Sequence, residues 1–277
     1  MASKYFNVTV KPTIKASDQH NGAFTALDLL WDWFAFDMPK GGACLRGVTA
    51  LVRGVDGAAQ TGRDLVLVFA QPSIDGTAPT SLGAEHATVS GVGYYNNLIG
   101  AINIDAAGDV PGIDVMNIMA TGGGATTDQI PFINIEGRPE LEKDGYNTIY
   151  IGGIAGAANT WSFSTEVDIG PSAGVDISGS NGTFGVIDGT DPTLCFAPGD
   201  VLHAQDDIIV GEVASLDANN IVFKFSGEAT ESGTSYSVPT SLANWRIQNG
   251  ADAAGDLLEN DELYNINPIT LILHFER

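Results

Sequence analysis

The chain has 277 residues and a formal net charge of −22, with 12 basic against 34 acidic side chains. This length suits one large domain or two modest ones, and so few cations argue against wrapping nucleic acid, because phosphate contacts need Lys and Arg. No run of 18 apolar residues is present and the N-terminus lacks the apolar core of a signal peptide, so we expect neither a transmembrane helix nor Sec export.

The first predicted elements surround a dense aromatic run. Residues 4–11 alternate polar and apolar side chains and predict a strand. The stretch Ala23 to Arg53 then carries two of the four Trp residues and a Pro/Gly turn at 38–42. Two apolar runs around such a turn are typical of a β-hairpin. We predict that this hairpin anchors the main core, with Trp31 and Trp33 on one face of its first strand and both faces buried.

Short strands continue through the first two thirds of the chain. Apolar or alternating runs predict strands at 63–70, 99–104, 113–121, 130–136, 148–154 and 160–168. The segment 138–144 is the best candidate for a helical turn, and 94–98 favours a short helix or turn. The connecting segments are rich in Gly, Asn, Asp and Pro, which form turns.

The composition changes near Gly170 and predicts a second unit. Residues 198–225 read as a meander whose turns recur every 8–12 positions, which is typical of a small barrel. We predict a compact β-barrel-like insert at 181–250, an acidic connector at 251–261, and a last strand near 264–276 that returns to the first domain. The expected fold is all-β: a jelly-roll-like β-sandwich over 1–175 plus 262–277, with the smaller insert.

No stretch of the sequence carries a catalytic constellation. The four histidines are scattered, no GxSxG occurs, and the glycine-rich segments lack the strand–loop–helix context of a phosphate site. Cys44 and Cys195 are most simply two buried thiols, and a single disulfide between them is the minor alternative. We therefore expect a protein that is not an enzyme, with no cofactor and no metal ion. Aspartate-rich turns leave calcium as an alternative, and the many carboxylate pairs leave a glycosidase as another.

The charge is unevenly distributed along the chain. Residues 1–63 hold seven basic and five acidic residues, whereas 181–262 hold two basic and fourteen acidic ones. One interpretation is that the acidity only maintains solubility. The other is that the N-terminal third faces a partner while the acidic parts face outward. On that hypothesis the candidate interface residues lie on the predicted hairpin: Trp31, Trp33, Lys40, Arg46 and Arg53.

Several of these segments resemble a known class of protein. The stretch from Lys11 to Phe24, the Trp/Phe run, Pro39-Lys-Gly, 45–53 and 94–100 are similar to uncharacterised virion structural proteins of marine tailed phages, including cyanophages. The resemblance covers roughly the first hundred residues and the closing strand. It implies a virion component with no enzymatic activity.

Within that class the composition favours a capsid decoration (cement) protein. Decoration proteins of tailed phages are often β-rich trimers that clamp the shell. The resemblance therefore implies binding to the major capsid protein and to copies of the same chain, with a trimer favoured, on the capsid surface of a virion made in the bacterial cytoplasm. No nucleic-acid or membrane partner is expected.

Three alternatives stay open from the sequence. A carbohydrate-binding fibre or adhesin would use exposed aromatic side chains such as those of Trp31, Trp33, Trp161 or Trp245, although core packing is the main interpretation of each. A neck or baseplate component is compatible with the small β-module. A trimeric fibre is disfavoured, because neither heptads nor a fixed repeat occurs. An unrecognised hydrolase is the third alternative.

Overall fold

The computed structural model describes residues 4–55, 58–89, 97–105, 116–121, 131–138, 141, 146–157, 160–163, 175–178, 181–185, 191–204, 209–224 and 263–277. Within these residues lie fifteen strands, one short helix and a 3-10 turn at Pro192–Leu194. The prediction of an all-β fold is confirmed. Nowhere in the described part does a helix have the length and apolar character needed to cross a membrane.

Two antiparallel sheets form the main body. The first is ordered β1 (Tyr5–Val10), β15 (Ile269–Glu276), β3 (Ala43–Arg53) and β6 (Met116–Ala120), with β7 (Ile133–Ile135) also paired to β3. The second is ordered β2 (Leu29–Pro39), β8 (Tyr146–Ala155), β4 (Leu65–Ala70) and β5 (Leu98–Ile104).

The connectivity of these strands is that of a jelly roll. The chain passes from β1 in the first sheet to β2 in the second, back to β3, across to β4 and β5, and back again to β6. It then crosses to β8 and closes with β15 between β1 and β3. The eight strands β1–β6, β8 and β15, wound in this way over two sheets, make a double Greek key. The jelly-roll-like sandwich expected from the sequence is therefore present.

The core lies between the two sheets. Strand β15 shows the pattern most clearly, because Ile269, Leu271, Leu273 and Phe275 are buried while the residues between them are half-buried. Such alternation puts one side of a strand on the core and the other towards solvent. The rings of Phe6 on β1 and Phe275 stack at 5.3 Å, so the first and last strands share a packing layer.

The predicted hairpin is wrong in its pairing, although both of its strands exist. Strand β2 pairs with β8 in the second sheet, and β3 pairs with β15, β6 and β7 in the first. The Pro/Gly turn between β2 and β3 therefore connects the two sheets of the sandwich instead of two neighbouring strands of one sheet. Local sequence signals a turn between two apolar runs, but it does not distinguish a hairpin from a crossing between sheets.

The two tryptophans of β2 lie on opposite faces, which corrects the predicted shared face. The register of β2 against β8 shifts between Leu29 and Trp31 and again between Trp31 and Phe34. Trp31 therefore lies in the main core at 1% exposure. Trp33 instead packs on the outer side with Leu82. A bulge reverses the direction of the side chains that follow it, and alternation alone could not reveal it.

A third sheet follows β8 in the chain. Its order is β14 (Leu263–Asn265), β11 (Val201–Ala204), β12 (Ile209–Asp217), β13 (Asn220–Lys224), β10 (Asn181–Gly185) and β9 (Val175–Ser178). In the described residues this sheet is open, with β14 and β9 at its edges, so no closed barrel is present. Two of its strands lie outside the predicted limits of 181–250, and the acidic connector 251–261 lies outside the described residues.

Some of the remaining predicted elements lie within the described residues and others do not. The polar composition of 15–22 predicts a loop, but the segment contains a one-turn helix, α1 (Ala16–His20), whose Gln19 is buried and donates to the carbonyl oxygens of Ile14 and Asn265. Trp161 forms an isolated bridge with Phe24. The predictions at 94–96, 113–115, 142–144, 164–168 and 226–250 fall outside the described residues.

Gly153 is a position where the fold tolerates no side chain. A Cβ there would lie 2.3 Å from ring carbons of Trp31. Gly153→Ala should therefore lower the free energy of unfolding by about 1–3 kcal/mol or more, the usual cost of overpacking, in urea denaturation. Gly47→Ala is the matched control, because its nearest contact would be an ordinary 3.5 Å to His274. Equal effects of the two substitutions would contradict this packing.

Candidate functional site

Strand ends from both sheets of the sandwich converge at the turn between β2 and β3. Tyr5 on β1 pairs with Glu276 on β15, which pairs with Cys44 on β3. The backbone of Gly137 lies so close to the turn that a Cβ on it would be 2.8 Å from the carbonyl carbon of Gly41. Five of the twelve basic residues are therefore gathered around this turn: Lys4, Lys40, Arg46, Arg138 and Arg277. We call this region the basic corner.

The outer face of the first sheet carries an ordered aromatic and cationic cluster within the basic corner. Arg46 donates from Nε to Oε2 of Glu276 at 2.6 Å, and the Tyr5 hydroxyl donates to Oε1 of the same carboxylate at 3.2 Å. The Arg46 guanidinium carbon also lies 4.6 Å from the centre of the Phe132 ring. Tyr5 is 73% exposed and Phe132 is 64% exposed. We call Tyr5, Arg46, Phe132 and Glu276 the outer cluster.

The electrostatics of the outer cluster keep Arg46 charged and fixed. The hydrogen bond to Glu276 raises the pKa of the Arg46 guanidinium above its ordinary value. A cation over a ring face gains further attraction from the ring quadrupole. The side chain is therefore held by two contacts in one orientation while two neighbouring aromatic rings face solvent. Arg and Tyr are among the residues most often found at interface hot spots.

The last residue of the chain, Arg277, ties the turn to the first strand. Its Nη2 donates to the carbonyl oxygens of Pro39 and Lys40, and its guanidinium carbon lies 5.4 Å from the Phe6 ring centre. Backbone bonds in both directions join it to Lys4. The side chain of Lys40, next to these contacts, is exposed. The predicted interface residues Lys40 and Arg46 therefore lie in one region.

Two other predicted interface residues lie elsewhere. Trp31 is in the core, where its Nε1 donates to the Ile151 carbonyl oxygen at 3.2 Å. Trp33 is half-buried, and its Nε1 donates to the Thr80 carbonyl oxygen at 2.7 Å. Trp161 is also buried and bonds to the Asp64 carbonyl oxygen. These placements agree with the core interpretation of the aromatic run, and Trp245 lies outside the described residues.

Arg53 lies at the opposite end of β3 and joins the sandwich to the third sheet. Its Nη2 donates to Oδ1 of Asp200 at 3.1 Å. Burial raises the pKa of Asp200 above its ordinary value of 3.8, and the charge of Arg53 opposes this shift without cancelling it. Asp200 also accepts from the Ala197 amide at 2.8 Å. Arg53 therefore contacts another part of the same chain.

The cysteine and aspartate residues considered above as possible catalytic or metal-binding groups have structural roles in the part of the chain that the structure describes. Among them no group of three or more His, Cys, Asp and Glu side chains is placed to hold a metal ion. Cys195 is buried, as predicted, whereas Cys44 is only half-buried, and neither forms a disulfide bond. Asp217 caps its turn by accepting from the Asn219 amide at 2.8 Å, which lowers the pKa of Asp217. Asp191 caps the 3-10 turn in the same way.

Sequence reasoning missed most of the outer cluster. Within the basic corner as a whole, it identified Arg46 and Lys40 but not Tyr5, Phe132, Glu276 or Arg277. Arg46 and Phe132 come together because β7 pairs with β3, placing Leu45 opposite Ile133. The only local signal was the alternation of buried Ile133 and Ile135 with their neighbours, which turns Phe132 outward. The pairing of Tyr5 with Glu276 spans almost the whole chain and has no local signal.

Comparisons with known proteins do not assign this chain to a family. No protein-family model matches the chain, and no curated protein matches it significantly. Among solved structures, it is similar to the crystal structure of the infectious bursal disease virus VP2 subviral particle, at 7% identity and a TM-score of 0.15, over 99% of this chain and 41% of that one. The structure of the Gx strain of that virus gives 10% identity and a TM-score of 0.15, over 100% and 41%.

These similarities are to viral capsid proteins but are too weak to carry an argument. The chain spans about two fifths of the length of the solved chains it matches. The fold assignment therefore depends on the strand order itself. The resemblance to virion proteins of marine tailed phages stays a prediction.

The raised pKa of Asp200 gives a pH-dependent prediction. A carboxyl group whose pKa is raised by folding stabilises the protein below its unfolded pKa, here 3.8, and this stability is lost as the pH rises through the folded value. The free energy of unfolding of the wild type minus that of Asp200→Asn should therefore fall as the pH rises from 3.8 through the raised pKa of the folded state. Urea denaturation at several pH values measures this difference.

Asp217→Asn is the control with the opposite sign. Because folding lowers the pKa of Asp217, the corresponding difference should rise as the pH increases towards about 3.8 and level off above the unfolded pKa. A difference for Asp200→Asn that stays constant or rises with pH would show that the Arg53 charge outweighs burial.

Proposed function

We propose that this chain is a non-enzymatic structural protein of a virion, and specifically a decoration protein that binds the outer surface of a phage capsid as a homo-oligomer. The observation that carries the proposal is the strand order β1-β15-β3-β6 and β2-β8-β4-β5. Jelly rolls of this kind occur in viral capsid and lectin domains. Since one fold serves many functions, the choice between them depends on the resemblance of the first hundred residues to phage virion proteins.

The outer cluster is the surface we assign to shell binding. Its four residues combine exposed aromatic area with a fixed guanidinium, and both are enriched where interfaces gain most of their energy. Arg46 already contacts Glu276 and Phe132, so little side-chain entropy is lost when a partner covers it. The predicted interface residues Lys40 and Arg46 belong to the same basic corner.

The charge of the chain fits a one-sided attachment. The few charged residues in the described part of the third sheet are mainly acidic. The net charge of −22 also disfavours non-specific association between copies. The basic corner is the region where an acidic shell surface would be attracted. The acidic sheet then faces solvent. A protein that contacts several shell subunits stabilises the assembled state over the dissociated one by mass action.

The function is tested with empty capsids of the phage that encodes the chain. Purified protein should sediment with the capsids, and cryo-electron microscopy of the particle should show the sandwich on the outer surface. The capsids should also resist heating better with the protein than without it. Absence from the capsid at every salt concentration would reject the proposal. Closed shells formed by this protein alone would make it the shell subunit instead.

Substitutions in the outer cluster test the assigned surface. Arg46→Ala and Phe132→Ala should each raise the dissociation constant for capsids by about tenfold, which corresponds to 1.4 kcal/mol, because each removes part of an interface centre. Lys224→Ala is the control, since it removes an exposed cation from β13 of the third sheet. Co-sedimentation at graded protein concentrations gives the constants. Equal loss from Lys224→Ala would move the contact to the third sheet.

A further inference from the structure

A cleft opens in the second sheet where β4 leaves its neighbour β8. Ala70, the last residue of β4, pairs with Tyr150, and in the described residues no strand pairs with 146–149 on that side. Pro72 cannot continue the ladder, because proline has no amide hydrogen. The resulting cleft has a volume of about 160 Å³. Most of the side chains in its lining are polar: Gln71, Arg138, Asn147, Thr148 and Tyr150.

Hydrogen bonds hold the walls of this cleft in place. In the turn that follows Pro72, the Ser73 amide donates to the Thr77 carbonyl oxygen at 2.8 Å. The Gly76 amide donates to the Ser73 carbonyl oxygen, also at 2.8 Å. Arg138 donates from Nη1 to the Pro72 carbonyl oxygen and so joins the two walls. The cleft is therefore preformed, and a ligand that enters it loses little affinity to ordering of the protein.

Asn147 is the unusual residue in the lining. It is 4% exposed, and among the described residues neither its Oδ1 nor its Nδ2 has a hydrogen-bond partner. A buried amide left unpaired costs stability, so proteins retain few of them. The buried amide of Gln71 in the same wall is paired, because its Nε2 donates to the Glu136 carbonyl oxygen at 2.9 Å. The fold therefore keeps an unpaired amide in the wall of a preformed cleft, where an occupant would complete its hydrogen bonds.

The chemistry of an amide limits what this occupant can be. Asn147 offers an acceptor at Oδ1 and donors at Nδ2, so a ligand that pairs with both atoms must itself donate and accept. Inorganic anions and carboxylates only accept, and a chain with a net charge of −22 repels them. Thr148 also donates to Oδ1 of Asp37 at 3.0 Å, which places a carboxylate beside the cleft. Hydroxyl groups donate and accept without carrying charge, so they fit this site.

The size of the cleft and its aromatic residues favour a sugar ring over a peptide. A cavity of roughly 150 Å³ accommodates one benzene molecule, so a cleft of about 160 Å³ has room for one pyranose ring but not for an extended peptide segment. Tyr150 lines the cleft, and Tyr146 lies on the same face of β8 with 50% exposure. The negative face of an aromatic ring attracts polarised C–H groups such as those of a sugar.

We propose that this cleft binds one pyranose ring of a neutral glycan, with Asn147 exchanging hydrogen bonds with two neighbouring hydroxyl groups. Arg138 has N–H donors beyond the one that it uses for Pro72, and it donates to a further hydroxyl group. Tyr150 packs against the C–H face of the ring. Jelly rolls occur in lectin domains as well as in capsids. The site shares no residue with the outer cluster and does not depend on the proposed function, so the purified chain without capsids tests it.

Saturation-transfer NMR on the full-length protein tests the binding with three probes, the methyl pyranosides of glucose, galactose and mannose. At least one should bind, because the three differ in the arrangement of their neighbouring hydroxyl groups. N-methylacetamide, which donates and accepts like a peptide group, should give no signal. Absence of binding by all three glycosides at about 50 mM, where millimolar dissociation constants are detected, would rule out the site. Binding of N-methylacetamide would assign the cleft to a peptide instead.

Asn147→Leu separates a role in binding from a role in folding. Leucine has nearly the shape of asparagine without its polar atoms, so the variant should keep or raise the melting temperature, because it removes a buried unpaired amide. It should raise the dissociation constant for the bound glycoside by about tenfold or more. Asn219→Leu is the matched control, on an exposed turn of the third sheet, and should leave binding unchanged. Undiminished binding by Asn147→Leu would contradict the proposal.

A second variant and a crystal structure complete the test. Thr148→Phe should block the cleft from β8 while it keeps the Asn147 amide, and it replaces Asn147→Leu if circular dichroism shows that the latter is unfolded. A crystal structure with the bound glycoside should show two of its hydroxyl groups on the amide of Asn147. A water molecule that pairs with both amide atoms, with the glycoside bound elsewhere, would make Asn147 a hydrated structural residue and reject this site.

Discussion

The sandwich depends on the close approach of Trp31 to Gly153. The largest buried side chain of β2 lies over a residue that has none, so an indole fits where two strands are one hydrogen-bond spacing apart. The adjacent Gly152 does the same on the outer side, where a Cβ would lie 2.4 Å from Leu82 and 3.0 Å from Val68. Strand β8 thus has two consecutive residues without side chains, and larger side chains pack against them on both faces of the sheet. A larger residue at Gly152 or Gly153 would displace β8 from the side chains that pack against it: Trp31 on one face, and Leu82 and Val68 on the other.

The second constraint is closure by the ends of the chain. Strand β15 lies between β1 and β3. Four of its eight residues, Ile269, Leu271, Leu273 and Phe275, point into the core. The same pairing brings Glu276 between Tyr5 and Arg46 and places Arg277 against the turn after Pro39. The basic corner is therefore a consequence of closing the jelly roll. Its residues come from the beginning, the middle and the end of the sequence, and they meet only when the fold is complete.

The sequence predicts the strands of this protein better than their partners. Alternation along 264–276 and the apolar run at 63–70 reveal strands because side-chain direction has a period of two. Pairing depends on residues far apart, such as Tyr5 and Glu276, and local pattern carries no information about it. The predicted hairpin illustrates this limit, because its turn is real and its two strands enter different sheets. The bulges of β2 show a second limit, since they turn Trp33 away from the side expected from alternation.

The candidate site shows the same division between local and long-range information. Arg46 and Lys40 could be selected because they are cations in the one segment that is not acidic. Phe132 and Tyr5 could not, because their exposure follows from the register of β7 and β1. The fold also gives its two ends different surfaces. One end gathers five of twelve cations with exposed aromatic rings, and the other presents small side chains around Leu27, whose backbone is left-handed. The outer cluster lies on a sheet face near the first of these ends, because the pairing of β1 with β15 and of β15 with β3 brings its residues together.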